Sequence, residues 1–154
     1  DMREIPYENY FTTVLSLFTS FGYFERDEEN QAVFKAVYRA LRPGGRFLID
    51  YMSRDYVIAN LVERDEQVFS GRRVYNVRRL TEGQRRVEKT IRVVTDAGRT
   101  REFHESVRLY SEGEMRAMLE ESGFQYITSY GSLDVQPYRP DSKRLIMVAI
   151  KGEL

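Results

Sequence analysis

The sequence has no cysteine, no tryptophan, one histidine (His104) and four prolines. Without thiols there can be no disulfide scaffold, no thiolate zinc site and no cysteine nucleophile. A single imidazole excludes a centre built mainly from histidines, and no metal-ligand spacing is present. No apolar run approaches the length of a membrane-spanning helix, and Asp1-Met2-Arg3-Glu4 does not open like a signal peptide. The 24 basic and 24 acidic side chains cancel, which removes any general attraction to nucleic acid or anionic membrane. These absences leave a soluble, cytoplasmic domain as the expectation.

The 154 residues are 42% hydrophobic and 31% charged, an ordinary globular balance. A chain of this length buries about two-thirds of its unfolded surface, enough for a core. The charge is uneven. Residues 72–108 hold 11 basic and 5 acidic side chains, between two acidic flanks. That segment reads as the solvated face of a sheet, where long basic side chains suppress edge pairing. A nucleic-acid or anion surface is the alternative, and needs the arginines to converge on one patch.

Three zones follow along the chain. In residues 11–51, the β-branched and apolar run Phe11–Phe18 predicts a buried strand. Acidic Glu25, Asp27, Glu28 and Glu29 open a helix, where they suit the positive end of its dipole. Val33, Ala36, Val37, Ala40 and Leu41 give that helix one apolar face. Pro43-Gly44-Gly45 stops it, and Arg46–Tyr51 is a second strand. Strand, helix and strand at this length imply a parallel pair joined by a crossover. In residues 52–110, a short helix over 55–63 precedes three strand-like runs, with turns at Thr81–Gln84 and Asp96–Gly98. Val87, Ile91, Val93, Phe103, Val107 and Leu109 fall on one parity; Arg92, Glu102, His104, Ser106 and Arg108 fall on the other. This predicts an antiparallel sheet with one buried and one wet face. In residues 111–154, Ser111 and Glu114 have capping-box spacing ahead of a helix that Gly123 ends. Phe124–Tyr130 and Arg144–Ile150 are strand candidates.

The order of these pieces resembles a family. Leu41-Arg42-Pro43-Gly44-Gly45, ahead of Arg46–Ile49, is similar to the helix-to-strand turn before the fifth strand of class I S-adenosylmethionine-dependent methyltransferases. Leu119…Ser122-Gly123-Phe124 resembles the turn before their sixth strand. Arg144–Ile150 resembles the seventh, which is antiparallel in that fold. The resemblance implies an α/β fold: a partial Rossmann-like methyltransferase sheet with the equivalents of strands four to seven, and an inserted antiparallel β-sheet at 66–110. It makes residues 1–154 a single partial domain that begins just after the third strand. The Gly-rich cofactor turn of the family is absent, since none of the ten glycines builds a G-x-G fingerprint.

Site expectations follow from the resemblance and from the rule that ligands bind beyond the carboxyl ends of parallel strands. S-adenosylmethionine is the implied cofactor. Asp1 and Met2 resemble the pair beside its adenine, and Leu17 and Phe18 would lie near its methionine part. Phe21, Tyr23, Tyr51 and Arg54 are the candidate lining of a small-molecule acceptor pocket. Phe18, Phe21 and Phe24 read equally as core residues flanking a turn. Candidates for proton chemistry are Tyr23, Asp50 and His104. Asp50 is read first as a cap or ion-pair residue, and His104 as a solvated strand residue. Methyl transfer from a sulfonium needs no protein base, because in-line positioning supplies most of the effect.

Three functions stay open at this point. One is a small-molecule methyltransferase represented by its C-terminal part and inactive alone. The second is a non-catalytic, self-associating module. The third is a nucleic-acid binder using 72–108. Under the first two, Thr13–Phe18 is an apolar edge strand that pairs with a second copy or with the N-terminal half of the family's sheet.

Overall fold

The computed structural model describes residues 1–153, and the side chains of all of these except 82, 126 and 127. Two four-stranded sheets share the chain. The first contains β1 (Phe11–Ser16), β2 (Leu41–Met52), β7 (Phe124–Tyr130) and β8 (Arg144–Lys151), in the order β1-β2-β8-β7. The second contains β3 (Arg64–Phe69), β4 (Arg72–Leu80), β5 (Arg86–Thr95) and β6 (Thr100–Arg108), paired in sequence order. The helices are α1 (Asp27–Ala40), α2 (Arg54–Asn60) and α3 (Glu112–Glu121). One 3-10 turn, Met2–Glu4, precedes them, and another, Glu82–Gln84, links β4 to β5.

β1 and β2 run parallel, joined by α1, as the spacing of their apolar runs requires. β8 pairs antiparallel with both β2 and β7. The four strands therefore stand where the resemblance puts strands four, five, six and seven. Period-two alternation sets the inner face. Phe47, Ile49 and Tyr51 of β2 lie opposite Ala149, Met147 and Leu145 of β8, and all six are buried. The apolar stripes of α1 (Val33, Phe34, Val37) and α3 (Met115, Met118, Leu119) complete that core. Gln31 ties the two helices together, donating to the Met118 carbonyl (2.7 Å) and to Ser122 Oγ (2.6 Å). The capping box at the start of α3 forms: Glu114 N donates to Ser111 Oγ (3.2 Å), and Ser111 N to Glu114 Oε2 (2.7 Å).

Three local expectations are corrected. The first strand ends at Ser16, and it is not buried: Leu15 is more than half exposed and Phe18 is 82% exposed. Its second neighbour is lacking, so one edge is open among the described residues. The inserted sheet has four strands instead of three. Ser70-Gly71, with φ of 48° and 71°, makes a two-residue hairpin turn that splits the first run in two. Such turns need positive φ at both central positions, and Ser-Gly is a weaker signal for them than Asn-Gly. The division of that sheet into one buried and one wet face also fails. Phe103, on the apolar parity, is half exposed, whereas Arg108, on the polar parity, is buried.

Candidate functional site

The carboxyl ends of β1 and β2 meet in a tightly bonded loop. Asp50, 4% exposed, accepts from the Phe18 amide (3.2 Å) and pairs with the Arg144 guanidinium, Nε to Oδ1 at 2.8 Å. The Asp50 carbonyl accepts from Thr19 N at 3.0 Å. Ser20 Oγ donates to the Leu17 carbonyl at 2.6 Å. Held this way, Phe18 and Thr19 both sit at φ 56°, a conformation that costs a non-glycine residue about 1–2 kcal/mol. Asp50 thus holds an ion pair and an amide, and the loop it shapes presents Leu17 and Phe18 outward.

An apolar groove of about 240 Å³ runs along the open side of β1. Met2 and Ile5, Val14 to Leu17, Ser20 and Phe21 line it, together with the core residues Val33, Val37 and Phe47. The 3-10 turn that carries Met2 is fastened by Arg3, which donates to Glu29 (2.7 Å), lies over the Phe24 ring (4.2 Å) and pairs with Asp1 (2.5 Å). Met2, Leu17 and Phe21 are therefore brought together, while the Asp1 carboxylate is occupied by Arg3.

Phe21 is buried, with its ring stacked on Phe34 at 4.4 Å and an interplanar angle of 4°. Tyr51 is also buried, and its hydroxyl donates to the Arg108 carbonyl. Burial pushes the Tyr51 phenol well above the ordinary tyrosine value. Tyr23 is half exposed, and its phenol is raised by partial burial and then by the charge of Glu105. Arg54 opens α2, within 3.6 Å of Glu114, and its Nε is buried without a hydrogen-bond partner. Beside it, Ser53 Oγ and Tyr138 Oη are 3.1 Å apart. His104 stands apart on the outer face of the inserted sheet, 3.2 Å from Glu102 and 3.2 Å from Thr90 Oγ1. The depression beside it is lined only by β4, β5 and β6 residues.

The most connected group was not singled out by the sequence. Arg108 reaches Asp27 (3.2 Å), Glu114 (3.0 Å) and the carbonyls of Arg85 (3.3 Å) and Leu109 (2.8 Å). Tyr110 donates to the same Asp27 oxygen at 2.7 Å. Burial would raise Asp27, but the hydrogen bonds from Tyr110 and Arg108, with the charges of Arg108 and Arg85, outweigh it and lower the carboxyl. Glu114 is likewise lowered: burial opposes, and the Ser111 amide and hydroxyl with Arg108 prevail. Nearby, Arg86 donates to the Phe24 carbonyl (3.2 Å) and to Ser106, and Arg108 N donates to the Gly22 carbonyl (2.8 Å). These contacts bolt the inserted sheet onto the segment between β1 and α1. Strand parity hid them, because parity assigns a face and not what another layer places against it.

No family model matches the sequence, and no curated protein matches it. Solved structures do match the fold. The CcbJ methyltransferase from Streptomyces caelestis superposes with a TM-score of 0.82 at 12% identity, covering 99% of this chain and 62% of that one. An S-adenosylmethionine-dependent methyltransferase from Clostridium acetobutylicum gives 0.85 at 16% identity, covering 99% and 63%. CalS10, an amino pentose methyltransferase from Micromonospora echinaspora, gives 0.66 at 24% identity, covering 98% and 62%. The chain has the partial Rossmann-like fold of these methyltransferases with an inserted antiparallel sheet, and spans a little over three-fifths of their length.

Proposed function

We propose that this chain is the acceptor-side part of an S-adenosylmethionine-dependent methyltransferase for a small molecule, and that it is inactive by itself. The observation that carries this reading is that nearly the whole chain, both sheets included, superposes on such enzymes. The local geometry supports it. The groove of Met2, Ile5 and Leu17 fits the apolar parts of the cofactor, but no acid among its lining residues could hold ribose hydroxyls. It amounts to one wall of a cleft. The cofactor would supply an electrophilic methyl group. Met2, Leu17 and Phe18 would hold it, Tyr23 and Arg54 would meet the acceptor, and the Asp50-braced loop would keep that wall in place. Transfer would then rest on alignment, not on a protein base.

The open edge of β1 belongs to the same reading. Leu15 of β1, Leu48 of β2 and Val148 of β8 lie in one row across the face away from α1 and α3, and none is fully buried. A strand against β1, and a layer over that row, would come from a further segment or from a second copy.

Titration with S-adenosylhomocysteine tests the proposal. Calorimetry at micromolar protein is expected to show no heat. At millimolar ligand, methyl resonances of Met2 and Leu17 are expected to shift while those of the inserted sheet do not. A micromolar Kd would overturn the claim of incompleteness. Unmoved Met2 and Leu17 signals at millimolar ligand would overturn the assignment of the groove.

A further inference from the structure

We propose that the tip of the inserted sheet is a binding site for a small phosphate-bearing ligand, with Arg72, Arg99 and Arg101 as its cationic contacts. The proposal is independent of the methyltransferase reading. Most of the basic side chains in residues 72–108 already have an acidic partner or a carbonyl. Arg73 pairs with Glu66, Arg78 with Asp65, Arg79 with Glu88, Arg85 with Asp27, Lys89 with Glu105 and Arg108 with Asp27 and Glu114. Arg86 is held by the Phe24 carbonyl and Ser106, and Arg92 lies over the Tyr75 ring. Arg72, Arg99 and Arg101 remain, with no ion pair or side-chain hydrogen bond among the described residues.

The register gathers these three. Arg72 lies opposite Thr95, and Arg101 lies opposite Val93, so both arginines share one face of the sheet with Val93 and Thr95. Arg99 comes from the β5–β6 turn, where Thr95 braces it twice: Thr95 N donates to the Arg99 carbonyl (2.9 Å), and Arg99 N to Thr95 Oγ1 (3.2 Å). Together the five residues line a depression of about 210 Å³. Three arginines around one depression, none with an ion-pair partner among the described residues, repel one another, and a multiply charged oxyanion relieves that repulsion with forked hydrogen bonds. Asp96, the acid of the same turn, lays its carboxylate against Gly71, but it does not line the depression and makes no ion pair among the described residues. Phe69, directly opposite Arg72 and three-quarters exposed, lies on the same face of the sheet.

A compact ligand fits better than a nucleic-acid strand. A polyanion needs a track of free cations, and beyond the tip the basic side chains of 72–108 are tied to acids or carbonyls, except Arg92, which lies over Tyr75 on the other face of the sheet. The experiment is an amide-resonance titration of the full chain at low salt with pyrophosphate and, in parallel, a nucleoside triphosphate. Saturable shifts are expected at Arg72, Thr95, Arg99 and Arg101. Equal affinities would assign the site to phosphate alone, and tighter nucleotide binding would assign it to a nucleotide stacked on Phe69. The double variant Arg72→Ala/Arg101→Ala should weaken binding roughly tenfold or more, while Arg79→Ala, which removes one exposed arginine of the same sheet away from its tip, should leave it unchanged. The absence of saturable shifts, or an equal loss in Arg79→Ala, would overturn the site. So would an oligonucleotide that binds far more tightly than pyrophosphate with a steep salt dependence, which would mark a nucleic-acid surface instead.

Discussion

Gly22 decides more at the scale of single residues than its place in a loop suggests. It has φ of +90°, and a Cβ added there would stand 3.1 Å from Tyr51 Oη, 3.2 Å from the Arg108 carbonyl and 3.3 Å from Val107. All three neighbours belong to the joint between the two sheets, so none can retreat without loosening it. Gly22→Ala is expected to destabilise the fold by about 2–3 kcal/mol, from strained backbone plus the displaced contacts. The midpoint of urea unfolding measures this, and a variant as stable as the parent would show that the joint yields freely. Asp50 shows the limit of residue-level reading. Its place at a strand end suited either chemistry or bracing, and its acidity alone could not separate the two. The bonds to Arg144 and Phe18 N account for the bracing.

Among the elements, the inserted sheet depends on a joint that is electrostatic in part. β6 ends at Arg108, and the acids that meet it come from the first turns of α1 and α3. Both Asp27 and Glu114 have carboxyls lowered on folding, so their contribution is present above the unfolded values of 3.8 and 4.5 and is lost as pH falls through the lowered folded values. Protonation leaves Arg108 buried without its counter-charges. Stability is therefore expected to fall from pH 5 toward pH 3, with early loss of the near-ultraviolet dichroism of buried Tyr51 and Tyr110. Asp27→Asn should flatten that slope while lowering stability at neutral pH. An unchanged slope in this variant would remove Asp27 from the account. The parallel β1–β2 pair and the hairpins that turn at 81–84 and 96–98 were legible beforehand, because alternation and turn residues are local, whereas the Ser70-Gly71 turn was not. The docking of one sheet on the other was not, because it rests on Arg86, Arg108 and Tyr51 meeting backbone carbonyls far away in sequence.

For the whole molecule, the open side of β1 is the dominant feature. Leu15, Leu17 and Phe18 are exposed beside a strand edge that pairs with none of the described residues, a combination that favours association. Light scattering at tens of micromolar is expected to show dimers or larger species, with slow amide exchange across 13–16. Leu15→Lys should shift the population to monomer, since a charge at the strand edge opposes pairing. A monodisperse parent monomer with fast exchange at these amides would contradict strand pairing as the route of association.

The sequence by itself determined the parallel β1–α1–β2 unit, the antiparallel character of the inserted sheet and the capping box of α3. Each rests on short-range physics: apolar periodicity, helix caps, and turn residues with special backbone conformations. It also carried the excess of arginine in 72–108, but not its disposition. Only the tertiary structure decided which arginines are neutralised and which three converge, because ion pairing depends on register and on partners from other elements. It likewise decided that the Phe11–Ser16 strand is not buried, since a run of apolar residues says that a strand seeks cover and not whether cover is supplied.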